Sequence, residues 1–254
     1  MAEMRLKGGH TTSDPRLDRV PQFDERSRDY PIRALVSEEE PLRSRGWYCP
    51  AWLDQGREGA CVGFAWTHEL AAFPVVVEGV DDDFARGVYN EAQTVDEWPG
   101  EEYSGTSVLA GAKTIETRGY MDEYRWAFGV DDALRAIGYQ GPVVVGIPWY
   151  QSMFEPRPSG LLEVTPGGGG GHAILVRGVS LKARLPGEPG PMAVVRLRNS
   201  WGRGWGLDGD CYIRAEDFSA LLEAEGDCCV PVVRREGQEP QPDDELLRQS
   251  GEQE

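Results

Sequence analysis

Apolar residues recur at spacings of three and four from Cys61 to Phe73, through Val62, Ala65, Trp66 and Leu70, and Pro74 closes the run. That period predicts a helix with one buried stripe and puts Cys61 in its first turn. A second helical period spans 107–117 through Val108, Ala112 and Ile115 and ends at Gly119. A shorter one covers 131–137 behind two aspartates that suit a helix N-terminus. After Gly138 the texture changes to strands. The runs 142–147, 173–176 and 193–197 are apolar or β-branched and punctuated by glycine and proline, with a shorter run at 212–214. Helices first and strands second predict an α+β chain of two lobes, with a site in the cleft between them.

The flanks carry less pattern. Residues 1–48 are rich in charge and arginine, with prolines at 21, 31 and 41, and read as an extended arm. The organisation expected is therefore this arm, a helical lobe at 49–128, a β-rich lobe at 129–234 and an acidic, disordered tail at 235–254.

Composition narrows the function. A chain of 254 residues with 40% hydrophobic content and eight tryptophans can fill a sizeable core. A net charge of -17 and a pI near 4.6 argue against a nucleic-acid partner, which draws its affinity from clustered Lys and Arg. Residues 1–14 lack the basic start and apolar run of a signal peptide, and no window holds 18 uninterrupted apolar residues. A cytoplasmic protein without a membrane partner, working as a monomer, is the expectation. The excess of arginine over lysine fits the coding bias of a GC-rich genome. Five cysteines, an odd number without Cys-x-x-Cys pairs or neighbouring histidines, leave at least one thiol free and give no reason to expect a metal or cofactor. Cys228 and Cys229 read as two thiols, and the acidic triplets at 38–40 and 81–83 as solvated faces.

Three features carry chemistry. Cys61 stands at a helix start, where the positive end of the dipole lowers a thiol pKa. His172 follows five glycines, 167–171, without the Gly-Lys-Ser/Thr of a phosphate loop, so the loop reads as room for a substrate backbone near His172. Asn199-Ser200-Trp201-Gly202 ends a strand and precedes Gly204, Trp205 and Gly206. His68, seven residues along the helix from Cys61, lies about 10 Å up the axis and reads as a helix-surface or interlobe residue.

In the order Gln55-Gly56-x-x-Gly59-Ala60-Cys61, His172-Ala173, Asn199-Ser200-Trp201-Gly202, the chain resembles the papain-like cysteine peptidases over about residues 47–218. The segment from Trp205 through Gly209 to Arg214 is similar to that family's glycine-rich loop and following strand. The resemblance implies a papain-like two-lobe fold, a helical lobe and an antiparallel β-barrel-like lobe, and a peptide or protein substrate. It implies Cys61 as nucleophile, His172 as its imidazole partner, Asn199 orienting His172, Gln55 and the Cys61 N–H as oxyanion donors, and Trp201 covering the His172–Asn199 bond. Gly105 and Gly171 would bind the substrate main chain.

The departures matter. Glu58 stands where many relatives have a cysteine, and Val62 where they have tryptophan, which fits a reduced, bacterial or bacteriophage intracellular setting. Cys61 and His172 are 111 residues apart, against roughly 130–150 in the papain signature. The stretch 185–191 reads as an inserted turn between two strands. No separate inhibitory propeptide is evident, so either substrate access limits activity or the arm lies over part of the molecule. A papain-fold acyl transferase or amidase, and a catalytically idle binding module, are the alternatives. Specificity has no motif; Trp149, Tyr150 and Met153 are the candidates nearest the site.

Overall fold

A computed structural model describes residues 3–235 of the chain. The expected tail thus lies, Arg235 apart, outside the described residues. Five helices, α1 (Cys61–Leu70), α2 (Asp82–Val95), α3 (Val108–Thr117), α4 (Val130–Tyr139) and α5 (Ala215–Glu223), accompany nine strands. The strands are β1 (Met4–Arg5), β2 (Thr11–Thr12), β3 (Arg45–Gly46), β4 (Met121–Trp126), β5 (Val143–Trp149), β6 (Gly170–Ala183), β7 (Met192–Arg198), β8 (Asp210–Arg214) and β9 (Asp227–Arg234). β1 and β2 form a small hairpin, and the other seven form one antiparallel sheet in the order β4-β9-β5-β6-β7-β8, with β3 added along β6. The mixed helix and antiparallel-sheet class is as expected, but the sheet stays open. Its path runs from β4 to β8 without returning, so there is no closed barrel.

The helix at Cys61 begins where the spacing predicts, but the expected single stripe is wrong. All ten residues of α1 are buried, because α1 packs against α2, α3 and β6 at once. His68 is consequently a core residue, not a surface one. Its Nε2 accepts the Leu53 N–H at 3.2 Å, and burial pushes its pKa down to about 3, so it is neutral. The triplet at 81–83 has a local job: Asp81 caps α2, accepting the Phe84 N–H at 2.9 Å. Behind this cap Ala85, Val88, Tyr89 and Ala92 form a buried stripe. Ser107 caps α3 in the same way, accepting from the Ala110 N–H at 3.0 Å.

Two apolar clusters fill the interior. One lies among α1–α3 and one side of the sheet, through Phe64, Trp66, Leu70 and Ile115. The other lies under α4 and α5 and includes Trp149, Ile174 and Phe218. Across β6, β7 and β8 a single buried carboxylate, Asp210, takes bonds from Arg177, Arg196 and Arg198. The turn at 185–191 does join two paired strands, β6 and β7. All five cysteines are buried and unpaired. Among the described residues no helix is long and apolar enough to cross a membrane.

Candidate active site

α1 and β6 meet at the thiol. The Ala173 N–H, of the residue that follows His172 on β6, reaches Cys61 Sγ at 3.3 Å. His172 Nε2 lies 2.9 Å from Asn199 Oδ1, and Asn199 follows directly on β7. Trp149 packs edge-on against the His172 ring at 4.9 Å between centroids, and Trp201 lies over it at 5.3 Å. His172 Nδ1 has no hydrogen-bond partner. Gln55 is fixed by its Oε1, which accepts the Ser200 hydroxyl at 2.6 Å; Ser200 adjoins Asn199, so the glutamine and the asparagine share one support. Of the three suggested specificity residues, Trp149 and Met153 are wholly buried and Tyr150 is half-buried.

The cleft between α1 and β6 is occupied by the N-terminal arm. Arg19 donates its N–H to Gly171 O at 3.1 Å and Val20 to Thr106 O at 2.9 Å, both through parallel bridging. Gly171 and Gly105, the two glycines expected at the substrate main chain, are thus against the arm. A Cβ on Gly171 would collide with the Arg19 carbonyl, and one on Gly105 would press on Val20 and Asp18. Leu17 and Val20 are fully buried, and Lys7 is tied to Asp96 at 3.0 Å near the far end.

Asp18 is the arm's contact with the sulfur. Its Oδ1 accepts from Cys61 Sγ–H at 3.1 Å and from the Cys61 N–H at 3.3 Å, while its Oδ2 accepts from the Tyr89 hydroxyl at 2.5 Å. Because the residue before α1, Ala60, carries no capping side chain, a carboxylate 43 residues away supplies the cap. Gln55 Nε2 meanwhile reaches the Arg16 carbonyl at 3.3 Å and Glu58 O at 2.8 Å. Both donors expected at an oxyanion are therefore engaged by the arm.

The electrostatics follow from this closure. Burial, and then the Asp18 carboxylate, push the Cys61 thiol well above its ordinary pKa. Burial drives His172 down to about 4, against the Asn199 bond that favours its charged form. The lowered thiol pKa expected from the helix start is not found here: the closed site holds a neutral thiol and a neutral imidazole. Asp18 itself is raised to about 6 by burial, although the Tyr89 and Cys61 bonds pull it down.

No protein-family model and no curated protein sequence matches the chain. Its backbone does match solved structures. Xylellain, a cysteine protease from Xylella fastidiosa, superposes with a TM-score of 0.61 at 17% identity, over 92% of this chain and 100% of that one. Digestive procathepsin L 3 of the Tenebrio molitor larval midgut gives 0.53 at 17% identity, over 87% and 75%. The Carica candamarcensis cysteine protease CMS1MS2 gives 0.51 at 16%, over 77% and 100%. The fold is papain-like. At these identities the likeness speaks for the fold, and the residues of the site must speak for the chemistry.

Sequence reasoning misses four residues at the cleft: Asp18 and Arg19 in the arm, Tyr89 on α2, and Asp227 at the start of β9. Tyr89 alone could have been found, from the stripe that follows the Asp81 cap. Among the described residues no group of three or more His, Cys, Asp or Glu is placed to hold a metal ion.

Proposed function

We propose that the chain is a papain-like cysteine peptidase, closed at rest by its own N-terminal arm. The reading is supported by the 3.3 Å approach of the Ala173 N–H, next in the chain to His172, to Cys61 Sγ, together with the 2.9 Å contact between His172 and Asn199. With the arm displaced, Cys61 gives its proton to His172 Nδ1, and the thiolate adds to the carbonyl carbon of a peptide or protein substrate. Gln55 Nε2 and the Cys61 N–H, freed from Arg16 and Asp18, donate to the developing oxyanion. The C–N bond breaks as His172 protonates the leaving amine, and water, deprotonated by His172, then cleaves the thioester. Asn199 holds the ring in line throughout, and Trp201 shields their bond from water. Gly105 and Gly171 align the substrate main chain where the arm now lies. Five unpaired thiols support work in a reduced, cytoplasmic setting.

The test loosens the arm and asks for turnover. Full-length Leu17→Ala, given a library of fluorogenic peptides, is expected to hydrolyse some of them, and the added changes Cys61→Ala or His172→Ala to abolish this. Hydrolysis that survives Cys61→Ala, or none from a folded Leu17→Ala chain whose thiol is readily alkylated, would end the peptidase reading.

A further inference from the structure

Gln55 can aim a donor at an oxyanion only if both ends of its amide are held. Oε1 is held from β7, through the Ser200 hydroxyl. Nε2 carries two N–H groups, and the 2.8 Å bond to the Glu58 carbonyl takes one of them, which fixes the direction of the other. That second N–H now meets the Arg16 carbonyl. The position of Glu58 therefore sets where the donor points. Yet the turn that carries Glu58 has little of its own to hold it. Residues 56–58 are exposed, and none of them joins either apolar cluster. Backbone pairing anchors the segment at one end: the Gln55 N–H donates to the Ser200 carbonyl at 2.9 Å and the Gly202 N–H to Leu53 O at 3.2 Å.

The other restraint comes from α2. Arg86 Nε meets Glu58 Oε1 at 2.5 Å, and its Nη1 meets Asp83 Oδ1 at 2.9 Å. The same guanidinium lies 5.8 Å from the ring centroid of Phe64, on α1. Asp82 Oδ1 accepts the Asp54 N–H at 3.0 Å. The triplet at 81–83 thus does more than start a helix: Asp81 caps α2, while Asp82 grips the segment directly and Asp83 steadies the arginine that does so. α2 is a firm base for this, because it lies so close to α1 that a Cβ on Gly63 would collide with the Ala85 carbonyl and with Tyr89.

We propose that Arg86 is a positioning residue of the oxyanion site, holding through Glu58 the turn that aims Gln55. The proposal rests on the peptidase reading, and it extends the machinery of that site to a helix outside the cleft. Arg86 and Glu58 are 38% and 46% exposed, and an exposed ion pair contributes little to global stability. Aim is the more demanding quantity. A misplacement of about 1 Å can cost on the order of 100-fold in rate, so a weak restraint suffices to matter when the group it places is a donor to the transition state.

The experiment is a double-mutant cycle on the full chain carrying Leu17→Ala, with a fluorogenic peptide whose cleavage depends on Cys61. Arg86→Ala is expected to lower kcat about tenfold and leave KM within about twofold. In the Gln55→Ala background the same change should lower kcat by less than about twofold, because no donor is left to misaim. The rate of Cys61 alkylation should stay within about threefold, which separates a misaimed donor from a shifted arm or an altered thiol. An unchanged kcat, a loss confined to KM, a full loss that persists beside Gln55→Ala, or a larger change in alkylation would each overturn the proposal.

A second measurement needs no turnover. The Glu58 N–H donates to the Gln55 carbonyl at 3.3 Å, so Arg86→Ala in the otherwise unsubstituted chain should quicken hydrogen exchange at the Glu58 amide by about threefold or more. Unchanged exchange would overturn the restraint whatever the activity. Absence of Cys61-dependent hydrolysis with Arg86 intact would instead sink the peptidase reading, a failure distinct from either of these.

Discussion

Leu17 is the arm residue whose loss should open the site with least damage elsewhere. Its side chain is wholly buried, in a cluster that includes Trp149, Met153 and Leu162 of the body. Lifting the arm returns Leu17 to water, so its burial counts towards closure as well as towards folding. Truncating a buried leucine to alanine costs about 2–5 kcal/mol. Taking about 3 kcal/mol for the closure equilibrium, and about 1.4 kcal/mol per tenfold, the open fraction of Leu17→Ala rises on the order of 100-fold. Cys61 is inaccessible in the closed state, so its alkylation by iodoacetamide follows the open fraction. Intact-mass measurement of the full chain at pH 7.5, with Cys61→Ala to identify the site, would read the rate. A rate within about threefold of the unsubstituted chain, alongside a lowered unfolding midpoint, would show that Leu17 serves the global fold and that the arm is not a separable lid.

Three other outcomes follow from the geometry. Two titrations oppose one another in closure: the raised Asp18 pKa gives stability that is complete below 3.8 and is lost as pH rises through about 6, whereas the lowered His172 pKa gives stability present above 6.5 and lost as pH falls through about 4. Closure of the unsubstituted chain should therefore change little between pH 6 and 4, while Asp18→Asn, left with His172 alone, should open progressively over that window by up to about tenfold per pH unit; hydrogen exchange at the Arg19 and Val20 amides, corrected for intrinsic rates, reads both. Asp210→Ala strands three arginines around an empty position and should lower unfolding stability by about 3–5 kcal/mol in urea; a loss under about 1 kcal/mol would mean that solvent replaces the carboxylate. Gln55→Ala in the Leu17→Ala background should cut kcat about 100- to 1000-fold with KM nearly unchanged, and an effect confined to KM would remove Gln55 from the oxyanion site.

The parts of this molecule that were legible in the sequence are those governed by local spacing. The apolar period put Cys61 at the head of a helix, and β-branched runs marked β5, β6 and β7. Strands β4 and β9 escaped because charged residues break the alternation of the first and Pro231 the second. α2 escaped because its three aspartates read as a solvated face, although Asp81 is the cap that starts it. The closed arm is invisible to spacing for a different reason. Its contacts join Asp18 to Tyr89 across 71 positions and Arg19 to Asp227 across 208, and no periodicity encodes such pairs. The same distance explains the thiol: the helix start favours a thiolate, but burial and the Asp18 carboxylate prevail, and neither is local to Cys61.

The parallel run of the arm against 104–106 and Gly171 has a consequence for how the molecule could be switched. What faces the sulfur is the side chain of Asp18, so the blocking group offers a carboxylate where a peptide would offer a carbonyl carbon. The arm is also joined covalently to the body it blocks. A tethered occupant acts at an effective concentration of order millimolar, so a free peptide must outcompete a ligand that never diffuses away. A single cut in the exposed stretch at 37–41 would change no contact in the cleft, yet it would turn an intramolecular equilibrium into one that dilution can drive to completion. Displacement by substrate is reversible; release by a cut becomes permanent as soon as the fragment leaves.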